Sequence, residues 1–135
     1  MAEPSEEELA RIAAERAEMF RPRWIGRLAR GELGLGETFW GGHLGMQLCF
    51  MPLWLVLVVA VPAVFPAAGW GSWLVFFVAQ ALWSLTVTRG VIRVAPGATG
   101  AGNWRWVAVA VSALLSLQAL GWLWVMLTDP PQWAY

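Results

Sequence analysis

Apolar residues run without a charge through three stretches of the chain, 44–64, 70–88 and 106–127. None shows the strict alternation of a half-buried strand or the single stripe of a surface helix; they are apolar all round. At ~1.5 Å per helical residue each can cross a hydrocarbon core of ~30 Å. The pattern predicts an all-α membrane protein with three transmembrane helices, preceded by an N-terminal amphipathic cytoplasmic helix. Pro52 and Pro62 lie inside the first span, and Pro52 predicts a bend there. Phe65 to Gly69 reads as a tight turn, which sets the first two spans antiparallel and in contact. Pro96 to Asn103 is a loop by composition, and Thr128-Asp129-Pro130-Pro131 ends the third span. The domain organisation follows: an interfacial segment over 1–37, a three-helix domain over 38–128 and a short external tail over 129–135.

Upstream of the spans the pattern changes. Ser5 can cap a helix, and Glu8 three residues later completes a capping box. Leu9, Ile12, Ala13, Met19 and Phe20 follow near one helical stripe, Glu7 and Arg11 are an i,i+4 pair, and Pro22 is expected to stop the helix. Such a helix suits a membrane surface or a partner; the alternative is a solvated cap. In Arg23-Trp24-Ile25-Gly26-Arg27-Leu28-Ala29-Arg30, the apolar residues suit the membrane interface. Trp24, Arg23, Arg27 and Arg30 are the expected headgroup anchors, at roughly 1 kcal/mol per basic contact with an anionic leaflet. Glycines 31, 34 and 36 then form a flexible link.

Charge gives these elements a direction. The chain has nine basic residues, all arginine, and nine acidic ones. Arg11, Arg16, Arg21, Arg23, Arg27 and Arg30 precede the first span, while Arg89, Arg93 and Arg105 frame the second loop. The first loop and the tail have none. By the positive-inside rule the N-terminus is cytoplasmic and the C-terminus periplasmic, with a bacterial inner membrane the best fit. The acidic start lacks the basic region of a signal peptide, so the first span is expected to be retained. A net charge of zero offers no argument for nucleic acid, and the lone Cys49 excludes an internal disulfide.

Candidate chemistry is sparse. No ionisable carboxylate, arginine or lysine lies inside a span, which counts against an ion-coupled pump. His43 is the single histidine, at the mouth of the first span. It cannot build a protein-only metal site, but it could ligate a haem or chlorophyll-type magnesium from one side. No catalytic constellation is present, so the chain is expected not to be an enzyme. Of eleven tryptophans, Trp24, Trp40, Trp104 and Trp106 suit one interfacial belt, and Trp70, Trp73, Trp122, Trp124 and Trp133 the other. Trp54 and Trp83 fit neither belt. They are candidate contacts for a quinone, a pigment or a lipid tail; the alternative is internal packing, with Gln80 or a backbone carbonyl accepting the indole proton. Ala108, Ser112 and Ser116, extended by Ala119, form a small-residue seam for close helix packing or a partner. Gly41 and Gly45 make one further Gly-xxx-Gly. Gln80 and Gln118 need hydrogen-bond partners at membrane depth, from each other or from a larger partner.

Gly31-Glu32-Leu33 through Thr38-Phe39-Trp40, with Gly100-x-x-x-Trp104 leading into the last span, resembles a loosely defined set of small bacterial inner-membrane proteins of unknown activity. In those a Trp-Arg-Ser-Ala-like motif closes the second span, where this chain reads Val87-Thr88-Arg89-Gly90-Val91. The resemblance spans residues 31–120 and implies a membrane fold without a chemistry.

These features lead to the expectation of a non-catalytic accessory subunit among other integral membrane subunits of a bioenergetic complex. A photosynthetic reaction-centre light-harvesting core is the first choice and a respiratory complex the second. It would have no intrinsic cofactor but contact with membrane lipid, quinone or pigment. The alternatives are a self-assembling small transporter or channel lined by Gln80, Gln118, Ser112 and Ser116, and a membrane anchor that recruits a soluble partner through residues 5–20.

Overall fold

The computed structural model describes residues 5–18 and 21–129. Among them every regular element is helical: α1 (Glu6–Glu18), α2 (Pro22–Arg30), a π-helical segment (Glu37–Gly45) that runs into α3 (Met46–Val64), α4 (Gly69–Val94) and α5 (Trp104–Thr128). Three helices, Glu37–Val64, Gly69–Gly97 and Trp104–Thr128, are long and apolar enough to cross a membrane. The first and third are thus longer at their N-terminal ends than their uncharged runs, and the second continues past Arg89 and Arg93. Extra helical turns carry those charges beyond an apolar slab at no cost in backbone hydrogen bonds.

The capping box at the start of α1 is formed. Ser5 Oγ accepts from the Glu8 amide at 3.3 Å, and Glu8 Oε2 accepts from the Ser5 amide at 3.4 Å. Leu9 and Ile12 remain 52% and 37% exposed, so their stripe is not buried against the described chain. Met19, Phe20, Trp133 and the tail from Pro130 onward lie outside the described residues. Pro22 does not end α1. It occupies the first turn of α2, where its missing N–H costs nothing. Gly31 closes α2 at φ 73°, a left-handed conformation that favours glycine, and its amide caps the Leu28 carbonyl.

α2 lies differently from the interfacial helix the sequence suggests. Trp24 and Leu28 are buried, with Leu28 fully enclosed, and they join Phe39, Val87, Val91 and Ala108 in one apolar cluster. Its apolar stripe therefore faces protein, and only the arginine face is left outward. Two glycines permit this approach. A Cβ on Gly90 would stand 2.7 Å from the Leu28 carbonyl oxygen, and one on Gly42 would stand 2.7 Å from Val87 Cγ1. Gly42, adjacent to the Gly41–Gly45 pair, is thus a close-contact glycine of the first span.

α4 and α5 form the most extensive helix pair. Ala81, Ser84, Val87, Thr88 and Val91 on α4 and Ala108, Ser112, Ser116 and Ala119 on α5 are buried at three- and four-residue spacings. α3 is much barer. Val58 is its single buried residue, and the helix runs through Pro52 and Pro62. Phe65 and the turn Pro66–Ala68 return the chain to α4, where Gly69 packs on the Pro62 ring.

Candidate functional site

Two features dominate the interior. The first is a polar seam between α4 and α5 that reaches the π segment. His43 is 6% exposed, and its Nε2 lies 3.0 Å from Ser112 Oγ. The Thr88 hydroxyl donates to the Ser112 carbonyl at 2.9 Å. A hydroxyl carries one proton, so at the 2.8 Å contact between Thr88 and Ser116 the serine is the donor. The same logic makes Ser84 the donor to Ser116 at 3.1 Å. Ser84, Ser116 and Thr88 thus form a directed run of hydroxyls ending on the Ser112 carbonyl. Small side chains bring the helices close enough for these bonds, and the bonds remove the cost of burying the hydroxyls.

This assigns Ala108, Ser112 and Ser116 to packing within the chain, not to a surface open to a partner. It also tests the seam energetically. Thr88→Val keeps the shape and deletes the hydroxyl, leaving Ser116 without its acceptor. The expected loss is about 1 kcal/mol, since interhelical hydrogen bonds in membrane proteins average ~0.6 and reach ~1.7 kcal/mol. SDS-induced unfolding in mixed micelles reads this out; an unchanged midpoint would remove the seam from the stabilising interactions.

The π segment explains the position of His43. Glycines 41, 42 and 45 let the helix widen, and the Met46 amide bonds back five residues to the Gly41 carbonyl. The Gly42 carbonyl accepts from Trp83 Nε1 at 2.9 Å, so the Trp83 indole ties α4 to the first span. His43 sits with its ring edge-on to Phe39, centroids 5.7 Å apart. Because its Nε2 is engaged by Ser112 and its ring is enclosed, a one-sided macrocycle ligand would have to break that contact. Among the described residues no three His, Cys, Asp or Glu side chains are grouped for a metal ion.

The second feature is a partly open groove of about 390 Å³ between α3 and α4, with Trp122 of α5 also on its lining. Gln47, Phe50 and Trp54 line it from α3, and Phe76, Gln80 and Trp83 from α4. Trp54 meets Phe76 edge to face at 5.4 Å. The structure therefore brings Trp54, Trp83 and Gln80 together, the three residues with no place in the tryptophan belts or the seam. Gln47 completes the set; one glutamine in an apolar helix was its only signal. The expected Gln80–Gln118 contact is absent among the described residues, because Gln118 is exposed on α5 while Gln80 faces α3.

The outer face of α2 is basic. Arg23, Arg27 and Arg30 are exposed there. Arg30 donates to both oxygens of Glu32, which holds that carboxyl below its ordinary range and raises the guanidinium. Glu37 accepts from Trp24 Nε1 at 2.7 Å. With both neighbouring carboxylates occupied, Arg23 and Arg27 have no ion pair among the described residues. Trp24 is thus not a headgroup anchor in this structure, because its indole faces inward and its N–H is used.

A scan against protein-family models and searches of curated proteins and of solved structures return no match to this chain.

Proposed function

We propose that the chain is a non-catalytic accessory subunit of a larger inner-membrane assembly, a bioenergetic complex. The observation that supports it is the bareness of the first span beside a bonded seam. Between α4 and α5 the buried hydroxyls are bonded to one another. On α3 Val58 alone is buried among the described residues, Leu48, Met51, Leu55, Val56 and Val59 are each more than 60% exposed, and the neighbouring Gln47 and Gln80 amides make no hydrogen bond among the described residues. Leu114, Leu117 and Trp124 on the outer face of α5 are equally exposed, so that face too is open to lipid or a partner. In a bilayer an unbonded amide costs free energy that a second protein or a bound molecule can remove. The serines a pore would need on its lining are turned inward, which favours a subunit over a channel.

In this reading the arginine-rich end, with α2 and the second loop, lies in the cytoplasm and the C-terminus in the periplasm. Arg23 and Arg27 then face the headgroups of the cytoplasmic leaflet. Native purification in mild detergent through a C-terminal tag tests the assignment. The expected result is migration with other integral membrane subunits, whose identity separates a photosynthetic from a respiratory assembly. Recovery solely as free chain or homo-oligomer would overturn it.

A further inference from the structure

We propose that the groove between α3 and α4 binds the ring of a neutral, lipid-soluble carbonyl compound of the quinone class. The inference requires the three helices to lie in a membrane, and it does not depend on which assembly the chain joins.

The argument starts from what the groove offers. None of its lining residues is charged, which disfavours a phosphate headgroup or an ionised acid. The amides of Gln47 and Gln80 and the indole N–H of Trp54 make no hydrogen bond among the described residues. Each amide has two N–H donors and a carbonyl with two lone pairs, and Trp54 adds a donor without an acceptor, so donors exceed acceptors by one in the groove. Its complement is a molecule that accepts hydrogen bonds and carries no charge. An acyl chain would leave all those donors unsatisfied, at a cost that a carbonyl oxygen removes.

The aromatic side chains add shape. Trp54 and Phe76 are held edge to face at 5.4 Å. Trp83 has given its N–H to Gly42, so it presents ring surface alone. Aromatic faces beside amide donors suit a flat ring with carbonyls at its edge. A volume of about 390 Å³ is within the range of small-molecule sites. The open side would let an isoprenoid tail leave along exposed α3 residues such as Leu48 and Met51.

The test uses the purified full chain in nanodiscs of zwitterionic lipid, titrated with decylubiquinone against empty nanodiscs. Saturable binding above the partition background is expected. Gln47→Met and Gln80→Met should each weaken it about tenfold, the scale of one lost hydrogen bond. Gln118→Met, on the exposed face of α5, should leave it unchanged. A photoreactive azidoquinone should label 46–54, 76–83 or Trp122 of the unaltered chain, a readout that needs no variant to fold. Binding no greater than partition, labelling elsewhere, insensitivity to both glutamine changes, or equal displacement by 1-decanol would each overturn the proposal. Because the chain is tested alone, success or failure here is separable from what co-purifies with it.

Discussion

Gly90→Ala is expected to lift α2 from α4 and to destabilise the fold by about 2–3 kcal/mol, the upper part of the range for overpacking a tight contact. The added methyl would lie 2.7 Å from the Leu28 carbonyl oxygen and 3.1 Å from Thr38 Cγ2. The first obstacle is backbone, so no side-chain rotation relieves it. The helix must move, and with it Trp24 and Leu28, the two residues through which α2 joins the core. Two measurements follow that movement. The midpoint of SDS-induced unfolding should fall, and trypsin should cut faster after Arg27 and Arg30, since the chain contains no lysine. Truncating Leu28 at the same time should not rescue the variant, because its carbonyl stays where it is. A Gly90→Ala protein with native stability and native cleavage rates would mean that α2 does not pack as described.

Gly42→Ala should behave in the opposite way under rescue. Its methyl would lie 2.7 Å from Val87 Cγ1 and 3.0 Å from Val87 Cγ2, with Leu28 Cδ1 at 3.3 Å. All three obstacles are side-chain atoms of fully buried residues. The single substitution should cost about 1–3 kcal/mol by overpacking. Val87→Ala alone should cost a similar amount by leaving a cavity. In the double variant the new methyl occupies the space the valine vacates, so the combined loss should fall short of the sum by at least ~1 kcal/mol. A four-point thermodynamic cycle measures this directly. Strict additivity would show that the two positions do not touch. Gly42 also presents the carbonyl that Trp83 bonds, so decylubiquinone binding is expected to weaken in the single variant and recover in the double.

Much of the architecture is readable from the residues, for a physical reason. A run with no charge over ~20 positions has few structures open to it, and the three spans follow from that constraint. The Ser5–Glu8 box and the Ala108–Ser112–Ser116 spacing are also local patterns, and both form. What the residues do not disclose is which neighbour an apolar face meets. Trp24, Ile25 and Leu28 look the same whether they dip into the acyl boundary or lie against α4, because lipid tails and protein core are equally apolar. The π segment is invisible for a related reason. Its glycines permit the widening, but their spacing reads equally well as a close-packing motif or a flexible link. Sequence depth alone pairs Gln80 with Gln118; the rotation of each helix, which decides that pairing, is set by the seam. Once Ser112 and Ser116 face α4, Gln118, two residues beyond Ser116, is turned to the opposite side of α5.

The run of hydroxyls has one last consequence. A proton relay needs every member to accept from one side and release to the other. Here the sequence of donors from Ser84 through Ser116 and Thr88 terminates on a peptide oxygen, which has no hydrogen to hand on. His43 approaches the same residue through a different atom, the Ser112 hydroxyl, and is not in line with the rest. The run of hydroxyls between α4 and α5 can therefore hold the two helices together but cannot pass a proton along its length.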